Sequence, residues 1–315
     1  MQILTQQSGF SASNEKEQTP SGAEGGECLA GVLRNKTSKK KQRKNKVKRG
    51  MKNRKETVLC MMSANAAQLK GKLNSFKNEL KLSNSAIFTL QECHYATKGK
   101  VQIEDFEVFE AIRKKVKGGS MIGVHKALKP VLIEEYSCDF ELLVVEIQIA
   151  NKDIRVITGY GPQENWPEKE RIPFFLALEQ EVVKAELAGK SILIEMDANS
   201  KLGSKYIPSD KHNQTENGKL LAGIIERHNL IIGNSLENCK GVITRKRTTK
   251  NTIEESIIDF VIISEDLKDE VESIEIDEDR NHVLTKIVKT KNGTNKTESD
   301  HNTIFSKFKL HWNKE

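Results

Sequence analysis

Nowhere does this chain carry an apolar run of the roughly 20 residues that a membrane-spanning helix requires. Its start, MQILTQQSGFSASNEKEQ, lacks the basic and then apolar profile of a secretory signal. Both absences predict a soluble, intracellular protein with no membrane partner. The five cysteines, Cys28, Cys60, Cys93, Cys138 and Cys239, are scattered, odd in number and without a CxxC pair. That pattern supports neither a disulfide framework, nor a disulfide-linked partner, nor a structural zinc site, and it fits a reducing compartment. No internal repeat is evident.

Acid is missing from one segment altogether. Residues 34 to 55 hold 13 of the 51 Lys and Arg and no Asp or Glu, leaving 38 basic against 44 acidic residues in the rest of the chain, a net charge of −6. Large apolar groups are scarce from residue 1 to 55, so this stretch cannot bury enough surface to offset the entropy of ordering. Residues 1–55 are therefore expected to form a disordered arm, and 56–315 the folded domain. A dense, acid-free basic block predicts nucleic-acid contact, nuclear import or both, with a solubilising tail as the plain alternative. The expected location is the nucleus, with the cytoplasm as the alternative, and the expected state is a monomer.

What is present from residue 56 onward is an alternation of strands and helices. Apolar, β-branched-rich runs of strand length fall at 57–64, 86–91, 120–125, 131–136, 140–149, 153–160, 191–196, 230–234, 257–263 and 302–310. Helical spacing places Leu69, Leu73, Phe76 and Leu80 on one face, and recurs in FFLALEQEVVKAELAG and GKLLAGIIERHN. Asn151 and Lys152 suggest a hairpin, and Gly118 with Gly119 a turn into the next strand. The simplest packing is an α/β fold, a four-layered sandwich of two mainly antiparallel sheets face to face with helices outside.

Polar residues stand at the ends of these runs: Asn65, Glu92, Tyr160, Asp197, Asn199, Asp259, and the trio Ser299, Asp300 and His301. Strands ending side by side at one rim can supply hard oxygen ligands to a divalent cation from distant parts of a chain. Glu92 is the best candidate ligand, since a buried carboxylate without a cation is costly; a merely solvated rim carboxylate is the plain reading. Asp197 and Asn199, two apart on one extended stretch, would point to the same side, Asp197 accepting a proton from water and the Asn199 amide holding the phosphate. An ordinary Asx turn is the alternative. His301 can donate to a phosphoryl oxygen as a cation, with Asp259 as the carboxylate that raises its pKa. Tyr160 can place its hydroxyl on the phosphate, or simply pack. His94, His125, His212, His228, His282 and His311 are expected to be surface or structural groups.

The order of these motifs resembles the endonuclease/exonuclease/phosphatase superfamily, most closely the endonuclease domains of non-LTR retrotransposons, over about residues 56–312. The matching motifs are Asn65 in SAN, Gln91–Glu92, Tyr160–Gly161–Pro162, Met196 to Asn199, Ile258–Asp259–Phe260 and Ser299–Asp300–His301. The resemblance implies hydrolysis of a phosphodiester in DNA, dependent on Mg²⁺ or Mn²⁺. It implies Glu92, Asp300 and Asn65 as metal ligands, Asp197 as the base, Asn199 and Tyr160 orienting the phosphate, and His301 with Asp259 stabilising developing charge. Met196 and Ala198 replace a Gly and an aromatic residue, Ala67 replaces an acid, and Gln163 replaces an Asn. These departures argue against a dedicated abasic-site enzyme. The Thr- and Arg-rich stretch before Ile258 resembles the retrotransposon branch, which makes Arg245, Lys246, Arg247 and Lys250 expected DNA phosphate contacts; a solvated hairpin is the alternative. Two other readings are a phosphatase for a small phosphorylated molecule such as an inositol phosphate, and a non-catalytic nucleic-acid-binding remnant of a mobile element.

Overall fold

The computed structural model describes residues 54–95, 99–112, 118–136, 140–249, 251–290 and 293–313. The arm expected over 1–55 lies outside them except for Arg54 and Lys55, which open the first strand.

Two sheets form the body. The first holds β1 (Arg54–Asn65), β2 (Ile87–Gln91), β3 (Phe106–Ala111), β4 (Ser120–His125), β10 (Cys239–Lys240), β14 (Val271–Ile276) and β17 (Ile304–Asn313), in the order β10-β14-β17-β1-β2-β4-β3. The second holds β5 (Val131–Tyr136), β6 (Glu141–Ile149), β7 (Lys152–Tyr160), β8 (Ser191–Asp197), β9 (Ile231–Ile232) and β13 (Asp259–Ile263), in the order β5-β6-β7-β8-β13-β9. Most neighbours are antiparallel; β1–β2, β7–β8 and β10–β14 run parallel. Two ribbons stand outside both sheets: β11 (Arg245–Thr248) with β12 (Ile253–Ser256), and β15 (Thr285–Thr290) with β16 (Gly293–Glu298).

Strand alternation assigns each side chain to a layer. Leu59 and Met61 of β1, Ile87 of β2, Phe308 and Leu310 of β17 meet Val145 of β6, Val156 of β7, Leu193 of β8 and Val261 of β13 between the sheets. The opposite faces take the helices. Helix α1 (Leu73–Ser83) lays Phe76 and Leu80 on Met62, Phe88 and Leu90 of the first sheet. Helices α2 (Glu168–Leu187) and α3 (Glu216–Arg227) cover Ile192, Ile194, Met196 and Phe260 of the second. This is the four-layered sandwich that the alternation of runs led us to expect.

Some local expectations change. Helix α1 begins only at Leu73, and Leu69 is buried in the turn before it. Helix α2 starts six residues before Phe174 and carries Pro173 inside, forfeiting one backbone hydrogen bond. Strand β9 stops at Ile232 because the side chain of Asn234 takes over the pairing, donating to Asp259 O (3.1 Å) and accepting from Val261 N (2.9 Å). The β6–β7 hairpin turns on Ala150 and Asn151, both left-handed at φ 52° and 61°. Among the described cysteines, Cys60 is disulfide-bonded while Cys93 and Cys239 are free. The spacing supports no disulfide framework, and the bond at Cys60 escapes it because spacing along a chain carries no information about approach in space.

Candidate active site

Toward one end the space between the sheets turns from apolar to polar. The inward positions there are Ser63 and Asn65 of β1, Thr89 and Gln91 of β2, Thr158 and Tyr160 of β7, Glu195 and Asp197 of β8, and Ser306 of β17, all buried. They bond to one another: Thr89 Oγ1 to Ser63 Oγ (2.8 Å), Gln91 Nε2 to Thr158 Oγ1 (3.2 Å), Ser306 Oγ to Glu195 Oε1 (2.6 Å). These bonds tie the layer into a floor beneath the site.

Above the floor, register brings the expected residues together. Asp197 pairs with Tyr160 on one side and with Asp259 on the other, so the ends of β7 and β8 and the start of β13 form one row. Asn65 and Gln91 are partners across β1 and β2. The loop before β17 carries Ser299, Asp300 and His301 into the gap, where Ser299 Oγ donates to Asn65 O (2.7 Å) and accepts from His301 N (3.2 Å).

Asp197 is 1% exposed. Its Oδ2 accepts from Asn65 Nδ2 (2.8 Å) and its Oδ1 from the Asn199 backbone N–H (3.0 Å). Burial, helped by the neighbouring Asp259, pushes its carboxyl up to about 7. His301 is also buried, and its Nδ1 lies 3.1 and 3.0 Å from the two oxygens of Asp259, with Nε2 3.9 Å from Asp197 Oδ2. Burial works against its cation, but Asp259 and then Asp197 outweigh it and raise the imidazole to about 9. Asp197, Asp259 and His301 each offer one ligand atom within 4.8 Å of the others, a grouping that could hold a metal ion.

Glu92 follows β2 with a left-handed backbone at φ 51°, and its Oε1 accepts from the Tyr160 hydroxyl at 2.6 Å. Burial together with Asp197 and Glu92 pushes the phenol up, so it stays a neutral donor. Gly161 is fixed by close approach, since a Cβ there would come within 2.3 Å of Ala198 O. Asn199 differs from the extended stretch expected after Asp197. The chain turns at Ala198, Asn199 is left-handed at φ 46°, and the Asx turn forms. The amide still reaches the site rim, where Asn199 Nδ2 donates to Gly161 O (2.9 Å).

Glu92, Tyr160, Asn199, Asp300 and His301 line a cleft of about 910 Å³, together with Arg245, Arg247 and His212. Asn65, Asp197 and Asp259 form its buried base. Asn65 spends both ends of its amide there, Oδ1 accepting from Ala67 N (2.9 Å) while Nδ2 holds Asp197. Asp300 Oδ2 is gripped by Arg245 through Nε (2.9 Å) and Nη2 (2.8 Å), and burial is outweighed by His301 and Arg245, which lower its carboxyl. Lys246 Nζ pairs with Glu255 (2.9 Å), Arg247 is exposed, and Lys250 lies outside the described residues.

Two residues at the site escape sequence reasoning. Lys72 is 2% exposed, donates to Ala66 O (2.7 Å) and Ala67 O (3.1 Å), and has its pKa lowered by burial against the pull of Asp300 and Glu92. Thr244, fully buried, accepts from Ile258 N (2.9 Å) and Asp259 N (3.1 Å), fixing the start of β13. A lone Lys in a helical pattern and a lone Thr before a strand carry no signal in one sequence.

No protein-family model and no curated protein sequence matches the chain. Solved structures do. The endonuclease domain of TRAS1, a telomere-specific non-LTR retrotransposon, is 18% identical at a TM-score of 0.57, covering 80% of this chain and 98% of its own. The Xenopus laevis APE2 catalytic domain is 14% identical at 0.61, covering 81% and 93%. An endonuclease/exonuclease/phosphatase family protein from Bacteroides thetaiotaomicron is 13% identical at 0.56, covering 81% and 99%. Each match covers nearly the whole of the solved chain and about four-fifths of this one, and the protein has the fold of the endonuclease/exonuclease/phosphatase superfamily.

Proposed function

We propose that the protein is a divalent-metal-dependent phosphodiesterase that nicks DNA by in-line attack of water, of the retrotransposon type. The observation that carries this reading is the convergence of Asp197, held by Asn65 and Asn199, with the His301–Asp259 pair at the base of one cleft. The likeness to the TRAS1 endonuclease domain supports the retrotransposon type.

Each residue has a task that its surroundings suit. A carboxyl raised to about 7 by burial is a far better base for water than an exposed Asp. As the water oxygen attacks phosphorus, its proton passes to Asp197 and the ester oxygen opposite departs. His301, kept protonated by Asp259, donates from Nε2 to the non-bridging oxygen where charge builds. The Asn199 amide has a second hydrogen to offer along the cleft wall, and the neutral Tyr160 hydroxyl, whose one proton goes to Glu92 Oε1, orients the phosphate by turning from that carboxylate. Glu92 and Asp300 supply hard oxygens suited to a divalent cation, Mg²⁺ or Mn²⁺. His301 keeps the donor role here, because its Nδ1 is committed to the two oxygens of Asp259. A cation held there would supply positive charge against the negative charge that builds in the reaction. Asn65 acts in this scheme by aiming Asp197 rather than as a ligand.

The test is cleavage of supercoiled plasmid, an abasic oligonucleotide and an inositol phosphate, each with Mg²⁺ and with chelator. Metal-dependent nicking of plasmid is expected, with Asp197→Asn and His301→Ala each losing about a thousandfold or more while keeping the fold. Full activity in either variant removes the assignment. One observation favours a second reading, the non-catalytic remnant: Arg245 occupies Asp300 Oδ2. DNA binding without cleavage under any metal would support it. The proposal extends to the nucleus as the location, with the basic block 34–55 serving import and DNA contact.

A further inference from the structure

The ribbon β15–β16 belongs to neither sheet, and nothing in the proposed chemistry uses it. It is nonetheless bound to the site at both roots. Its second strand ends at Glu298, and the next three residues are Ser299, Asp300 and His301. Ser299 N donates to Leu284 O (3.2 Å), closing the ribbon at its base, and Thr285 N donates to Ser75 Oγ of α1 (3.2 Å). The Lys286 stem lies against Gly71, where a Cβ would come within 2.9 Å of Lys286 Cδ and where the backbone is left-handed at φ +85°. Lys286 is thereby set beside Lys72, which itself feels Glu92 and Asp300.

The composition of the ribbon is unlike that of its surroundings. Between residues 285 and 298 the sequence has Lys286, Lys289, Lys291 and Lys296 against Glu298 alone, a net charge of +3 in a chain that is net negative outside the basic block. All described residues of β16 are exposed, as is Ile287, 64% accessible. An exposed two-stranded ribbon would expose its edges to pairing and its apolar groups to water without benefit to the fold. A two-stranded antiparallel ribbon is also one of the two elements that fit a major groove of duplex DNA. On the other flank of Ser299–Asp300–His301 stands β11, bound to the same segment by Lys246 N to Asp300 O (2.7 Å). The cleft itself is lined by β11–β12 and by Asp300 and His301, and β15–β16 joins it through the Ser299–Asp300–His301 segment that follows its second strand.

We propose that β15–β16 is a DNA-gripping arm: Lys286 and Lys296 contact backbone phosphates of duplex DNA on the α1 side of the cleft and hold the scissile strand over His301. This rests on the reading of the cleft as a DNA site. Phosphate contacts position a duplex without reading its sequence, so the arm sets affinity and register rather than target choice.

The experiment compares the full-length protein with Lys286→Ala/Lys296→Ala and with Lys286→Glu/Lys296→Glu. Binding of a fluorescent 20-base-pair duplex is measured from 50 to 200 mM salt in the presence of Ca²⁺, alongside plasmid nicking and hydrolysis of bis(p-nitrophenyl) phosphate with Mg²⁺. The alanine pair is expected to lower the log–log salt slope by about 1.8, roughly 0.9 per phosphate contact. The glutamate pair is expected to weaken binding and nicking at least tenfold, while hydrolysis of the small diester is unchanged. An unaltered salt slope and affinity in both variants overturns the arm and leaves the endonuclease reading standing. The expected loss of binding in a protein that never cleaves supports the arm and removes the endonuclease. Failure of the unaltered protein to bind duplex removes both.

Discussion

Asp197 and His301 lie within reach of one another, yet burial and neighbours push them to protonation states that suit opposite tasks. The base must be ionised and the cation must keep its proton, so their pKa values bracket the working range. As pH rises through about 7, Asp197 gains its charge and the rate should climb. As pH rises through about 9, His301 loses its proton and the rate should fall. The expected profile of kcat/KM on a small aryl phosphodiester is thus a bell with its plateau between those values. A rate that is flat from pH 5 to 8 removes Asp197 as the base. Glu92 poses a different residue-scale question, because a left-handed φ of 51° costs a side-chain-bearing residue about 1 kcal/mol or more. Glu92→Gly should therefore unfold at higher denaturant than Glu92→Ala, by about 1 kcal/mol, the reverse of the usual order. Both should lose metal-dependent cleavage. Equal midpoints would mean that the rim is free to relax.

At the scale of elements, what the sequence revealed was whatever buries an apolar face. β2, β4, β6, β7 and β8 are legible because each pays in continuous or alternating hydrophobic residues, and the rim residues follow because they end those strands. The edge strand β3, FEVFEA, and β14, VESIEI, alternate charge with apolar groups and escape a search for apolar runs. The ribbons escape altogether, since β16 buries nothing. The site was legible to the same extent: Asp197, Asp259 and His301 sit at strand ends, while Lys72 and Thr244 act through backbone atoms that no motif encodes. Thr244 makes this testable. Its hydroxyl is the acceptor for the N–H groups of Ile258 and Asp259, so it links the approach to β11 with the start of β13. Thr244→Val keeps the shape and deprives two buried donors of their partner, at a cost of about 1–3 kcal/mol in a denaturant melt. Because Asp259 then loses its anchor beneath His301, kcat should fall about tenfold or more with KM nearly unchanged. A variant that loses stability but keeps kcat would show that β13 needs no such anchor.

For the molecule as a whole, the central fact is a core that is apolar over most of its depth and polar beneath the site. Such a floor holds the rim residues by bonded neighbours, and its cost is borne by the stability of the entire sandwich. Glu195 shows that cost most clearly. It is fully buried between β8 and β17, with Ser306 Oγ donating to it, and burial raises its carboxyl from 4.5 to about 7. The folded state thus binds this proton more tightly than the unfolded chain does. Its contribution is fully present below about pH 4.5 and is lost as pH rises toward and through 7. The difference between those values corresponds to about 3 kcal/mol. Glu195→Gln presents a neutral group of the same shape at every pH, so wild type and variant should have similar stability at pH 4. By pH 8 the variant should be ahead by up to about 3 kcal/mol, read as a growing gap in denaturant midpoint across that window. Other titrating groups are common to both proteins and cancel in the difference. A gap that stays constant from pH 4 to 8 would mean that Glu195 is ionised in the folded protein, and that the floor carries a charge that nothing in its bonding explains.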